Sequence, residues 1–123
     1  MKYLTAIALV LVIACTPTTE QIEPVEQDLA SEPDVVIDMV ARNWEFKPSE
    51  VRVKNGDLVR INVRSEDAGH GLAIEGYDQS VKFDAGGSAT LEFVADKSGE
   101  FRLYCNVFCG QGHREMAGKL IVE

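Results

Sequence analysis

The chain is poor in the residues that usually build sites: it holds two histidines, three cysteines and one tryptophan in 123 residues. It has no excess of positive charge. The formal net charge is −8 at pH 7, which argues against nucleic acid as a partner and suits a soluble protein that attracts basic ones. The acidity is uneven, because six acids and no Lys or Arg lie between Thr16 and Asp34. No apolar run reaches the roughly 20 residues that a membrane-spanning helix needs. The longest, Tyr3 to Ala14, is interrupted by Thr5. No stretch keeps a long 3.6-residue apolar period, and no segment repeats. Length and an ordinary apolar fraction of 46% allow one domain with one core.

What is present begins with a leader. "MKYLTAIALVLVIAC" places Lys2 before the apolar run, the layout of a signal peptide over 1–14. The ending "LVIAC" resembles a bacterial lipobox, which implies cleavage before Cys15 and lipid attachment to its sulfur. An ordinary secretory signal with a chance cysteine is the alternative, and either way the domain is expected to be exported. Residues 15–34, "CTPTTEQIEPVEQDLASEPD", are Pro-, Thr- and acid-rich and read as a lipidated cysteine followed by a disordered acidic tether.

From Val35 the texture changes to short β runs. "VVIDMVA" is β-branched, and "EVRVKNGDLVRINVR" puts Val51 and Val53 on one face. In the next run Val59, Ile61 and Val63 oppose Arg60, Asn62 and Arg64. Asn55-Gly56 between these runs predicts a hairpin. "ATLEFVA", "GEFRLYC" and "GKLIVE" complete an all-β sandwich or barrel over 35–123.

The scarce residues are concentrated in "YCNVFCGQGHREM", residues 104–116. Cys105, Cys109, His113 and Met116 form C-x3-C-x3-H-x2-M between two predicted strands, with Gly110 and Gly112 free to fold the loop back. Thiolates and a thioether are soft and select copper over magnesium or calcium. Structural zinc does not use methionine, and a mononuclear blue-copper site uses one thiolate, not two. Two thiolates can bridge two ions. The only other histidine, His70 in "AGHGLAIEG", is the candidate to complete the set. Bland readings stand beside this one: a structural disulfide for Cys105 and Cys109, a surface loop for His70, core packing for Met116 and for Trp44.

Taken together, "FKPSEVRVKNGD", "GHGLAIEG" and "SGEFRLYCNVFCGQGHREMAGKLIVE" resemble the copper-A domain of cytochrome c oxidase subunit II, in particular the short bacterial ba3-type. The resemblance implies a cupredoxin-like Greek-key β-sandwich holding a dinuclear mixed-valence centre of two copper ions. It makes Cys105 and Cys109 the bridging thiolates and His70 and His113 the terminal imidazoles. Met116 becomes a weak axial ligand of one copper, and the backbone carbonyl of Val107 that of the other. Glu or Gln is usual at the place of Val107, but only the carbonyl is needed. By the same resemblance Trp44 is a surface aromatic near the copper where an electron donor docks.

The expected function is one-electron transfer without independent catalysis, since the pattern offers no open coordination position and no acid–base pair. A c-type cytochrome or small copper protein would be the donor and a haem–copper oxidase the acceptor. The expected location is the outer face of the cytoplasmic membrane or the periplasm, with the lipid anchor as membrane contact. Val107, Phe108 and Leu72 are expected to limit solvent access to the ligands. Two other readings stay open: an exported copper-delivery protein, and an exported disulfide-bonded binding module without metal.

Overall fold

The computed structural model describes residues 31–123. The expected signal peptide over 1–14, the lipidation expected at Cys15 and the expected tether up to residue 30 lie outside the described residues.

The described residues form nine strands: β1 Val35–Arg42, β2 Glu45–Lys47, β3 Glu50–Val53, β4 Leu58–Ser65, β5 His70–Ile74, β6 Gln79–Phe83, β7 Ser88–Val94, β8 Gly99–Tyr104 and β9 Ala117–Val122. One 3-10 turn, His113–Glu115, precedes β9, and no α-helix occurs among the described residues. The strands make two sheets, ordered β2-β1-β4-β7 and β3-β9-β8-β5-β6. The expected all-β sandwich is the fold of this chain.

Alternation drives the packing. In β4 the buried positions are Val59, Ile61, Val63 and Ser65, with Arg60 and Asn62 toward the other face. Val51 and Val53 of β3, Leu72 of β5, Leu103 of β8 and Leu120 of β9 answer them from the opposite sheet. Each such side chain contributes about 1.5–3 kcal/mol by leaving water. Met39 lies in the same core.

The predicted hairpin at Asn55-Gly56 is not formed. The turn exists: the Asp57 N–H donates to Lys54 O at 3.1 Å, and Gly56 has φ 95. Its flanking strands, however, go to different sheets. β3 pairs in parallel with β9, whereas β4 pairs in parallel with β1 and antiparallel with β7. The turn is therefore a crossing between sheets. A tight Asn-Gly turn reverses the chain whether or not the two strands then bond to each other, and here the apolar faces meet across the core instead.

Candidate metal centre

The centre is assembled where three strand ends of the second sheet meet. β8 ends at Tyr104 and β9 starts at its partner Ala117. The loop between them is closed at its base by the Cys105 N–H donating to Met116 O at 3.1 Å. β5 starts at His70 and joins β8 through Ala73 and Tyr104. That pairing carries His70 to the same end as the loop, across 35 residues of sequence.

All the predicted ligand residues converge there. The Sγ atoms of Cys105 and Cys109 are 3.6 Å apart, and both cysteines are free. His70 Nδ1 lies 4.0 Å from Cys105 Sγ, and His113 Nδ1 lies 3.5 Å from Cys109 Sγ. Met116 Sδ is 3.8 Å from Cys109 Sγ, and the Val107 carbonyl oxygen is 3.0 Å from Cys105 Sγ. Each sulfur thus has its own imidazole. Donors sharing one tetrahedral ion, with bonds of about 2.0–2.3 Å, stand about 3.3–3.8 Å apart. Three of the five separations fall in that range and the other two, at 4.0 and 3.0 Å, lie close to it, so the residues present fit a soft metal, and the donor set of two thiols, a thioether and imidazoles fits copper. His70 and Met116 are both 0% exposed.

Electrostatics agree. Burial pushes the Cys109 thiol up to about 12, helped by its hydrogen bond and charge interaction with Cys105. Without a metal this group keeps its proton, and a bound cation takes the proton's place. The Gly71 N–H donates to Cys105 Sγ at 3.5 Å, one more dipole on the sulfur.

Two aromatics flank the loop. Trp44, 41% exposed, lies in the turn between β1 and β2, and its Nε1–H donates to Cys109 O at 3.4 Å. It is not a core residue. Phe108 is 80% exposed with its ring 5.7 Å from that of His113. Phe108 is thus not itself buried, and its ring stands beside His113 rather than in the core. Leu72 is fully buried, and Val107 packs against the core.

Sequence reasoning missed Asp67. Its Oδ1 lies 2.7 Å from His70 Nε2, and its Oδ2 accepts the Asn43 N–H at 2.7 Å. Partial burial pushes this carboxyl upward. Hydrogen bonds from the Asn43 N–H, His70 and the Ala68 N–H, with the charge of His70, outweigh that and hold it below the usual carboxylate range. An acid three positions before the candidate histidine was the available signal.

A two-sheet sandwich with soft ligands gathered in the loop between its last two strands defines the cupredoxin class. The profile of the cupredoxin-like domain matches residues 5–122, and the chain belongs to that family. It is homologous to cytochrome c oxidase subunit 2 of Thermus thermophilus, with 29% identity over 85 residues, 69% of this chain and 63% of that protein. A second Thermus thermophilus subunit 2 is covered to 51%, so the chain spans about half to two thirds of these relatives. It is also similar to nitrous-oxide reductase of Stutzerimonas stutzeri, 34% identical over 82 residues, 63% of this chain but 13% of that enzyme. Among solved structures, a chain of a heme-copper terminal oxidase dimer superimposes with TM-score 0.65 and 32% identity, covering 73% of this chain and 65% of that one. The periplasmic domain of cytochrome oxidase subunit II from Bradyrhizobium japonicum gives 0.68 at 19% identity, covering 76% and 86%, and shares the fold.

Proposed function

We propose that this domain passes single electrons through a centre of two copper ions. The observation that supports it most is the convergence of four further donors on a thiol pair 3.6 Å apart. Two copper ions sharing two thiolates supply one-electron redox chemistry with the charge spread over both metals. The protein's part is to hold the donors still. Cys105 and Cys109, as thiolates, together with the imidazoles of His70 and His113, the thioether of Met116 and the Val107 carbonyl, would hold the ions. His70 and Cys105 are anchored on β5 and at the end of β8, while Met116 packs in the core. Rigid anchoring keeps the geometry similar in both oxidation states, which lowers the cost of moving an electron.

The exposed side of the centre, at Phe108, Trp44 and His113, is where a donor of the c-type cytochrome or small copper protein kind would approach. A haem–copper oxidase is the proposed acceptor, by relation to oxidase subunit 2. The same relation supports an exported location. Lipidation at Cys15 belongs to this reading and is read directly as acyl mass on the N-terminal residue of the native protein.

Metal content and electron paramagnetic resonance test the centre. Two coppers per chain with one unpaired electron shared between them are expected. One copper with a four-line signal overturns the dinuclear centre. A single labile Cu(I) favours copper delivery, and no metal with a Cys105–Cys109 disulfide favours a binding module.

A further inference from the structure

Asp67 bonds both to the ring of His70 and to the turn before Trp44 without being one of the donors. On one side its Oδ1 pairs with His70 Nε2 at 2.7 Å. Both oxygens of Asp67 already accept backbone N–H groups, of Ala68 and Asn43, so the carboxyl group is the acceptor and the proton of this bond sits on Nε2. A ring protonated at Nε2 presents Nδ1 on its other side, and that nitrogen faces Cys105 Sγ at 4.0 Å. On the other side Oδ2 accepts the Asn43 N–H at 2.7 Å. Asn43 precedes Trp44, whose indole lies against Gly112 and donates to the Cys109 carbonyl. One carboxylate therefore joins the ring of a buried ligand to the turn that covers the opposite ligand loop.

The segment around Asp67 is shaped for this. Buried Ser65 accepts the Asp67 N–H at 3.1 Å and donates to Ala68 O at 2.5 Å. The Ala68 N–H donates to Asp67 Oδ1 at 2.7 Å. These bonds fix both the backbone and the carboxylate rotamer, so the two oxygens stay aimed at different partners.

We propose that Asp67 is a positioning residue that selects the His70 tautomer presenting Nδ1 to the metal and ties that ring to the Trp44 turn. The metal part rests on the copper reading above; the tautomer and the turn are read without metal. Outer partners of this kind raise ligand basicity, and their loss typically costs 10–100-fold in metal affinity. Removing a negative charge beside a redox centre also favours the reduced state and raises the reduction potential.

The test compares the whole chain with Asp67→Ala and Asp67→Asn. Without metal, nitrogen-15 NMR of His70 is expected to show protonation at Nε2 in the wild type and a mixture of tautomers in Asp67→Ala. Trp44 fluorescence is expected to shift as its turn is released. With copper, competition against a chelator is expected to show affinity lowered about 10–100-fold in Asp67→Ala. Asp67→Asn, which keeps one acceptor oxygen and the shape, is expected to lose less affinity while its potential still rises. If Asp67→Ala does not fold, the Asp67→Asn tautomer, fluorescence and potential decide. Unchanged tautomer, emission, affinity and potential, with only the melting temperature lowered, overturn the proposal. Wild-type protein that takes up no copper overturns the copper reading instead, and the metal-free measurements still decide the Asp67 link.

Discussion

The indole of Trp44 fills the space that a side chain at Gly112 would need: a Cβ built there would run into the Cγ, Cδ2 and Cε3 atoms of the ring. A surface tryptophan and a glycine of the ligand loop thus pack as one unit, with the Cys109 carbonyl bonded to the same indole. Gly112→Ala is expected to push the indole off the loop at about 1–3 kcal/mol, the usual cost of overpacking. Chemical denaturation and tryptophan emission check this; wild-type values for both refute the packing argument.

Met116 and Val107 sit at opposite ends of the donor set and use different atoms. Met116 offers its thioether and is buried. Met116→Leu conserves volume, so stability is expected to fall by less than about 1.5 kcal/mol. Two coppers are expected to remain, with a changed reduction potential measured by voltammetry. Val107 offers its backbone carbonyl, and Val107→Ala is expected to leave the spectrum nearly as it is. Equal copper loss in both variants would reject this division.

Phe108 is exposed, so its removal tests surface chemistry apart from folding. Phe108→Ala is expected to change stability by no more than about 0.5 kcal/mol. The bimolecular rate of electron uptake from a small redox protein is expected to fall, as read by stopped-flow absorbance. A rate equal to wild type would move the docking face away from this ring.

The Cys109 thiol, raised by burial and by Cys105 from 9.0 to about 12, links folding to pH in the metal-free protein. An acid with a raised folded-state value favours the folded state while it is neutral. Its contribution is present below pH 9 and is lost as pH rises toward 12. The metal-free melting temperature is expected to fall from pH 9 to pH 11 more in wild type than in Cys109→Ser. Identical slopes would show that the thiol is not desolvated in the folded chain.

Copper itself should stabilise the fold, because the donors converge only when β5, β8 and β9 are in place. At free copper 100 times the dissociation constant the gain is about 2.7 kcal/mol. Thermal melts with and without a chelator are expected to differ accordingly and reversibly. No difference would mean the metal binds equally well to the unfolded chain.

The donor types and their spacing in 105–116 were legible from sequence, because ligand chemistry resides in side-chain type and the loop is local. The alternation of β4 was equally plain, since one of its faces is buried and the other is not. β5 was hidden: all five of its residues are buried, so no polar alternation marks it. The parallel pairs β1–β4 and β3–β9 and the sheet crossing at Asn55-Gly56 depend on which distant strands bury each other's faces. Only the folded chain brings His70 beside Cys105, lays Trp44 on Gly112 and sets Asp67 between Asn43 and His70. Contacts across tens of residues leave no local period, so tertiary packing alone decided them.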